Sequence, residues 1–433
     1  MLADGVNGNL GIMLPVRTRA AGVHPMASTL LGRIRTLGPG LLLAAAGIGA
    51  GDVVVASVTG IKFGYTLLWA IVFTAALKFV LTEGLARWQI ATGETVVHGW
   101  VTRLPRVVSL CFAAYLLFWT FMVGASLSSA CGLAGASLFP ALPVPVWGAI
   151  HAVTAGLIVA LNRFSGFQKV MKTLIAVMAL CVFACALLLT PPPLAVLTGL
   201  MLPRVPAEGG AASVLALLGG IGGSVTVVCY GYWLRAAGWN GAERLKAVRG
   251  DVALAYAFTG AFAVALCVIA AGVQAGAVSG ARIAIEIAAR LEAVAGPAGR
   301  WIFLGGFWCT VFTAMLGVWQ GVPSIFVDLF SALRRKPAEK ARSDRPVYLG
   351  SLAFLALAPL ILLWHREPVS VVVTFAIAGA FFMPFLAGTL LYMNNRRDWM
   401  GSLANRRLGN VALVVCLVVF GAVCVREVVT RLA

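Results

Sequence analysis

Asp52 is the residue best placed for chemistry in this chain, because of what precedes it. It follows Gly47-Ile48-Gly49-Ala50-Gly51 inside an apolar stretch. A carboxylate at membrane depth is costly unless it faces a cavity or a partner. Each glycine weakens a helix by about 1 kcal/mol relative to alanine, so the cluster predicts local unwinding that leaves carbonyl groups free beside the carboxylate. Carbonyl oxygens plus one carboxylate make a cation site of hard-ligand type. Asp52 could equally cap the half-helix that follows, accepting from its free N–H groups, and the two roles are compatible. A second cluster, Gly219-Gly220-Ile221-Gly222-Gly223-Ser224, precedes Cys229-Tyr230-Gly231. Thr226, Cys229 and Tyr230 supply its side-chain ligands. A thiolate at Cys229 would select transition metals, whereas a lone buried thiol is ordinarily inert; both readings stay open.

The other chemistry-bearing residues are sparse. Glu83 and Arg87 are spaced for an i, i+4 ion pair, and Lys78 lies deeper in the same apolar segment, where it snorkels to water only with difficulty. A proton- or ion-relay role for Lys78 and Glu83 competes with plain structural pairing. His24, His98, His151 and His365 lie in tails, loops or segment ends, away from both glycine clusters. No nucleophile–base pair and no phosphate-binding GxxxxGK[ST] loop is present, so the sequence does not read as an enzyme and implies no cofactor. None of the 9 cysteines forms a CxxC pair.

Long apolar helices must hold these residues. The chain is 61% hydrophobic and only 11% charged, with a mean hydropathy of +0.96, against about 25% charged in soluble domains. The apolar runs are near membrane-crossing length and do not alternate as strands of a membrane barrel do. The reading is an all-α polytopic membrane protein with spans near 39–62, 66–90, 107–131, 146–162, 168–190, 212–234, 251–273, 300–330, 346–364, 369–394 and 410–430. The two glycine clusters then interrupt spans one and six, each of which opens a block of five. Paired broken spans in two halves point to an inverted-repeat transporter with its site between the repeats, although close packing of small residues is the alternative for either cluster alone.

The domain reading is a tail at 1–37, a first repeat at 38–190, an external loop at 191–211, a second repeat at 212–394, and a loop with an eleventh helix at 395–433. The formal charge of +18 sits mostly between spans. Arg and Lys concentrate in the tail and in every second loop, which predicts a cytoplasmic N-terminus and an external C-terminus. No basic stripe interleaved with aromatics suggests nucleic acid. Trp69, Trp119, Trp147, Trp301, Trp364 and Trp399 read mostly as interfacial anchors near span ends.

Several motifs in order resemble the natural resistance-associated macrophage protein (Nramp) family. Gly38-Pro39-Gly40 stands eight residues before the first break. Lys62 to Trp69, Ile90-Ala91-Thr92-Gly93, Met383-Pro384-Phe385 and Asn395-Arg396-Arg397 are similar to further family motifs. The resemblance implies a LeuT-like fold, two inverted repeats of five helices plus an eleventh, with spans one and six unwound mid-membrane. It also implies alternating-access uptake of a divalent metal such as Mn²⁺, coupled to protons. The family's DPGN is replaced by Gly49-Ala50-Gly51-Asp52 and its MPH by Val228-Cys229-Tyr230. Two acidic positions of its third span become Ser126 and Ser129, and its tenth-span glutamine becomes Phe382. The implied substrate site is therefore Gly49, Ala50, Asp52, Thr226, Val228, Cys229, Tyr230 and Phe382, with Asp52 and Cys229 as the metal ligands. Mg²⁺, which keeps much of its water, would suit so sparse a set. The rival expectations are a carrier of a small organic cation or amino acid, and a sensor that does not transport. Short loops place the chain in a bacterial inner membrane, in an oligomeric state the sequence leaves open.

Overall fold

The computed structural model describes residues 38–161, 164–273, 282–334 and 344–432; the tail at 1–37 and most of the basic run at 334–345 lie outside them. Proline at the first helical position starts α1 (Pro39–Gly47), where its missing N–H is no loss. The chain then leaves helical geometry at Ile48 and re-forms as a π turn, Gly51–Val55, that runs into α2 (Ala56–Phe63). The two arms meet at a bend of 52°. Gly64, at φ 58°, ends α2, and Gly93 at φ 71° ends α3 (Leu68–Thr92), as left-handed helix ends favour glycine.

The remaining spans are α5 (Arg106–Leu138), α6 (Val144–Leu161), α7 (Phe164–Leu188), the pair α9 (Gly210–Gly220) and α10 (Thr226–Ala236), α11 (Leu245–Ala270), α12 (Arg282–Leu333), α13 (Arg345–Leu357, continued to His365 by two short turns), α14 (Pro368–Met393) and α15 (Arg407–Leu432). Nine helices among the described residues are long and apolar enough to cross a membrane, and α1 with α2 makes a tenth as a bent pair. The α9–α10 pair completes the expected eleven. Each half is too short alone because the glycines between them stop both.

Three features depart from the sequence reading. Two segments read as loops carry short helices, α4 (Val96–Arg103) and α8 (Pro193–Met201); Thr95 caps the first by accepting from the His98 N–H at 3.1 Å. A helix from Arg282 precedes the eighth span expected near 300–330, set off from it by non-helical backbone at Gly296 (φ 66°). Trp119 is no interfacial anchor: it is fully buried in α5, where its indole N–H donates to Ser224 Oγ at 2.6 Å.

The two broken spans run through the middle of the bundle. The first touches α10, α11, α12 and α14, and the sixth touches the first, α3, α12 and α14. Glycine permits the close approach where they meet. A methyl group on Gly51 would lie 2.6 Å from the Gly220 carbonyl oxygen, and one on Gly47 would lie 3.3 Å from the backbone of Gly222.

Candidate functional site between the broken spans

Asp52 sits in the π turn, fully buried. One carboxylate oxygen accepts from the Gly49 N–H of its own break at 3.0 Å. The other accepts from the Gly222 N–H of the second break at 3.2 Å. A buried N–H left without a partner costs about 1–3 kcal/mol, and a buried carboxylate needs donors for the same reason. The single side chain therefore answers both interruptions at once.

The second break carries the complementary groups. Helix α9 stops at Gly220, and Gly222 and Gly223 adopt φ of 70° and 76°, a region open to glycine. That backbone turns the carbonyls of Gly219 and Gly223 toward α3. There the Lys78 ammonium donates to both, at 3.4 Å to Gly219 and in a shorter contact to Gly223. Lys78 is fully buried and lies within electrostatic reach of Asp52. The Thr226 hydroxyl stands against Gly223 and has no hydrogen-bond partner among the described residues. Tyr256 closes the side: a methyl group on Gly222 would lie 2.9 Å from its ring, and its hydroxyl is 2.8 Å from Thr82 Oγ1.

The structure brings Gly49, Ala50, Asp52 and Thr226 to the two breaks and takes the other expected residues elsewhere. Val228 is core packing in α10. The Cys229 sulfur faces α12, where a methyl group on Gly321 would meet it at 2.8 Å. Tyr230 points toward the Gly38 end and donates to Asp251 Oδ2 at 3.0 Å. Phe382 lies in an aromatic cluster with Phe112, Tyr115 and Phe385, its centroid 5.7 Å from the Tyr115 ring; earlier on α14, Gly379 meets the break against Ser224 and Ala376 meets it against Gly219 and Gly220. Ser126 and Ser129 are buried with no partner among the described residues.

Glu83 and Lys78 do not form a chain. Glu83 is held by Arg87 at 3.2 Å and by Arg249 of α11 at 2.8 Å, while Lys78, on the same helix, serves the break. Of the two readings of Glu83, the geometry matches pairing.

One residue outside the expected site has a clear task. Asp251 accepts from the Gly40 N–H at 2.6 Å and the Gly38 N–H at 3.2 Å, as well as from Tyr230. It thus caps the start of α1 and ties it to α10 and α11. Asp328 does the like nearby, accepting from Tyr232 at 2.8 Å and from Thr95. The Gly38 end of the bundle is closed by hydrogen bonds to these two carboxylates. Beside the π turn, by contrast, the neighbouring cleft is lined by Val53, Val54, Ile283, Ile287 and Phe307.

Chemically, the centre offers one carboxylate, the carbonyl oxygens of two broken helices and one free hydroxyl. Among the described residues no three His, Cys, Asp or Glu side chains gather in one place, so a cation there would rest on backbone oxygens and Asp52.

Comparison with known proteins bears on the family and the fold. Residues 40–430 match the family described as natural resistance-associated macrophage protein-like. The chain is 25% identical over 282 residues to the divalent metal cation transporter MntH of Mycobacterium tuberculosis, covering 61% of this chain and 64% of that one. It is 28% identical over 254 residues to the Bacillus subtilis protein of the same name, covering 55% and 58%. These matches span less than two thirds of each relative's length. Among solved structures, a mutant of the Eremococcus coleocola manganese transporter superposes with a TM-score of 0.74 at 16% identity, covering 94% of this chain and 89% of that one. MhsT in complex with L-phenylalanine superposes at 0.59, with 14% identity and coverage of 90% and 97%. At these identities the likeness establishes the fold, which is LeuT-like. With nearly its whole described length matched, this integral membrane protein belongs to the natural resistance-associated macrophage protein family.

Proposed function

We propose that the chain is a secondary transporter, not an enzyme, that carries a divalent metal cation between its two broken spans by alternating access. The observation that carries this reading is the Asp52 carboxylate, shared between the Gly49 and Gly222 N–H groups with freed helix-end carbonyls beside it. Unwound carbonyls and half-helix C-termini are the usual cation ligands of such folds. The curated relatives are named as divalent metal transporters. A ligand set this poor in side chains suits a cation that keeps several waters, so Mg²⁺ stands beside Mn²⁺ as cargo. In this reading the cytoplasm lies at the Gly38 end, the membrane is a bacterial inner membrane, and protons are the coupling ion.

Uptake into proteoliposomes tests the proposal. Mn²⁺, Co²⁺ or Mg²⁺ should enter faster than into empty vesicles, and Asp52→Asn should abolish the difference. Metal flux no greater than in empty vesicles would reject it.

One observation favours a second reading. Lys78 demonstrates that the second break accepts an ammonium group on its carbonyls, so a small organic amine is chemically compatible with the site. A thermal-shift screen of metals against amines and amino acids separates the two, since a ligand stabilises the folded state by RT ln(1 + [L]/Kd).

A further inference from the structure

We infer that Lys78 is a tethered cation that holds the carbonyl ligands of the second break, so that cargo binds only by displacing it. The inference rests on the cation-carrier reading above and adds a residue that sets its affinity and selectivity.

A lysine ammonium is a compact, strongly hydrated charge with three donors. Buried in mid-bundle, it must find acceptors and a counter-charge. Lys78 finds them on the groups a transported cation would use: the carbonyls of Gly219 and Gly223 and the negative charge of Asp52. Gly219 lies in the last turn of α9, where unpaired carbonyls give a helix its negative end. The arrangement around the ammonium is thus that of a cation site: helix-end oxygens, a carboxylate opposite, and the Thr226 hydroxyl at its edge with no partner among the described residues.

Charge accounting fixes the consequence. With Lys78 in place, a positive charge already acts on Asp52 and two oxygens are already engaged. A divalent ion entering beside the ammonium would meet a like charge at close range, in surroundings that screen it poorly. Binding therefore requires the ammonium to leave Gly219 and Gly223. The four-carbon stem allows this movement, since only the head group is held by hydrogen bonds. The ion then gains both carbonyls and Asp52 together. Lys78 accordingly weakens binding of every cation, and most of all of ions that hold their water and gain little from two carbonyls.

The test is equilibrium binding of Mn²⁺ and of Mg²⁺ to the purified full chain by calorimetry, for wild type, Lys78→Met and Lys78→Gln at one pH. Methionine keeps an unbranched side chain of similar length and removes the charge; glutamine keeps one donor. Displacement predicts at least tenfold tighter binding in the methionine variant and a smaller gain in the glutamine variant. Wild-type binding with Kd unchanged or weaker in both folded variants overturns the inference and leaves the cargo reading standing. No binding by wild type or either variant overturns the cargo reading, and this inference with it. Should neither variant fold, a structure of the Mn²⁺-loaded wild type decides. Lys78 Nζ away from both carbonyls supports displacement, and Nζ still seated on them refutes it.

Discussion

Asp52 and Lys78 hold the same interruption by groups of opposite polarity. The carboxylate accepts the Gly222 N–H, and the ammonium donates to the Gly223 carbonyl next to it. A stretch of backbone that has given up helical hydrogen bonds leaves both donors and acceptors bare; here each kind is met by a charged side chain from another span. Residues 49–52 and 219–223 consequently act as one unit with Lys78, and changes at either break should be felt at the other.

Gly51→Ala tests that coupling sterically. The added methyl would stand 2.6 Å from the Gly220 carbonyl oxygen and 2.8 Å from its Cα, and backbone cannot rotate away as a side-chain tip can. Overpacking of this kind costs about 1–3 kcal/mol. We expect a lower thermal midpoint and loss of metal-dependent uptake, whereas Gly350→Ala, where added bulk meets nothing, should alter neither.

Asp251→Asn should loosen the Gly38 end. The carboxylate accepts two backbone N–H groups of α1 and the Tyr230 hydroxyl, and hydrogen bonds to a charged acceptor contribute about 1.5–3 kcal/mol. An amide oxygen in the Oδ2 position keeps two of these without the charge, and its NH2 group cannot accept the Gly38 N–H. Hydrogen exchange across residues 38–47 should quicken by about tenfold or more, the factor that 1.4 kcal/mol represents. Tyr230→Phe, which leaves both N–H bonds in place, should have a smaller effect. Unchanged exchange in the Asp251 variant would refute the latch.

Glu83→Gln separates a relay from a brace. Of its partners Arg249 is half exposed, so that pair contributes under about 1 kcal/mol after solvent screening, whereas Arg87 is buried and loses its counter-charge in the variant. The expected outcome is a clear fall in thermal midpoint and a pH profile of uptake that matches wild type. A shifted profile would instead give Glu83 a part in proton movement.

Phe382→Ala should act on stability alone. The ring packs among Phe112, Tyr115, Trp100 and Phe385, and removing a buried aromatic costs about 3–5 kcal/mol. In the milder Phe382→Leu the metal Kd should stay within about twofold of wild type, as for sites that share no partner. A larger change would bring Phe382 into the cargo site after all.

The sequence alone determined the helical membrane class, the span count and the two places where helices fail. Those properties follow from local physics: apolar length against bilayer thickness, and glycine's poor helix propensity. It also drew attention to Asp52, a carboxylate in an apolar segment that the fold buries at the first break. What it could not determine was direction. Phe382, Cys229 and Tyr230 sit at plausible positions along their spans, yet helix rotation turns the first into an aromatic cluster, the second toward α12 and the third toward Asp251. Lys78 was legible as an anomaly, but its acceptors lie more than 140 residues away along the chain, and no periodicity reports which carbonyls a folded backbone will expose to it. Asp251 belongs to no motif, and its task shows only where the fold brings the start of α1 beside it. Backbone N–H and C=O groups carry no sequence signature, so a site built mainly from them becomes visible only when tertiary packing sets two broken helices against each other.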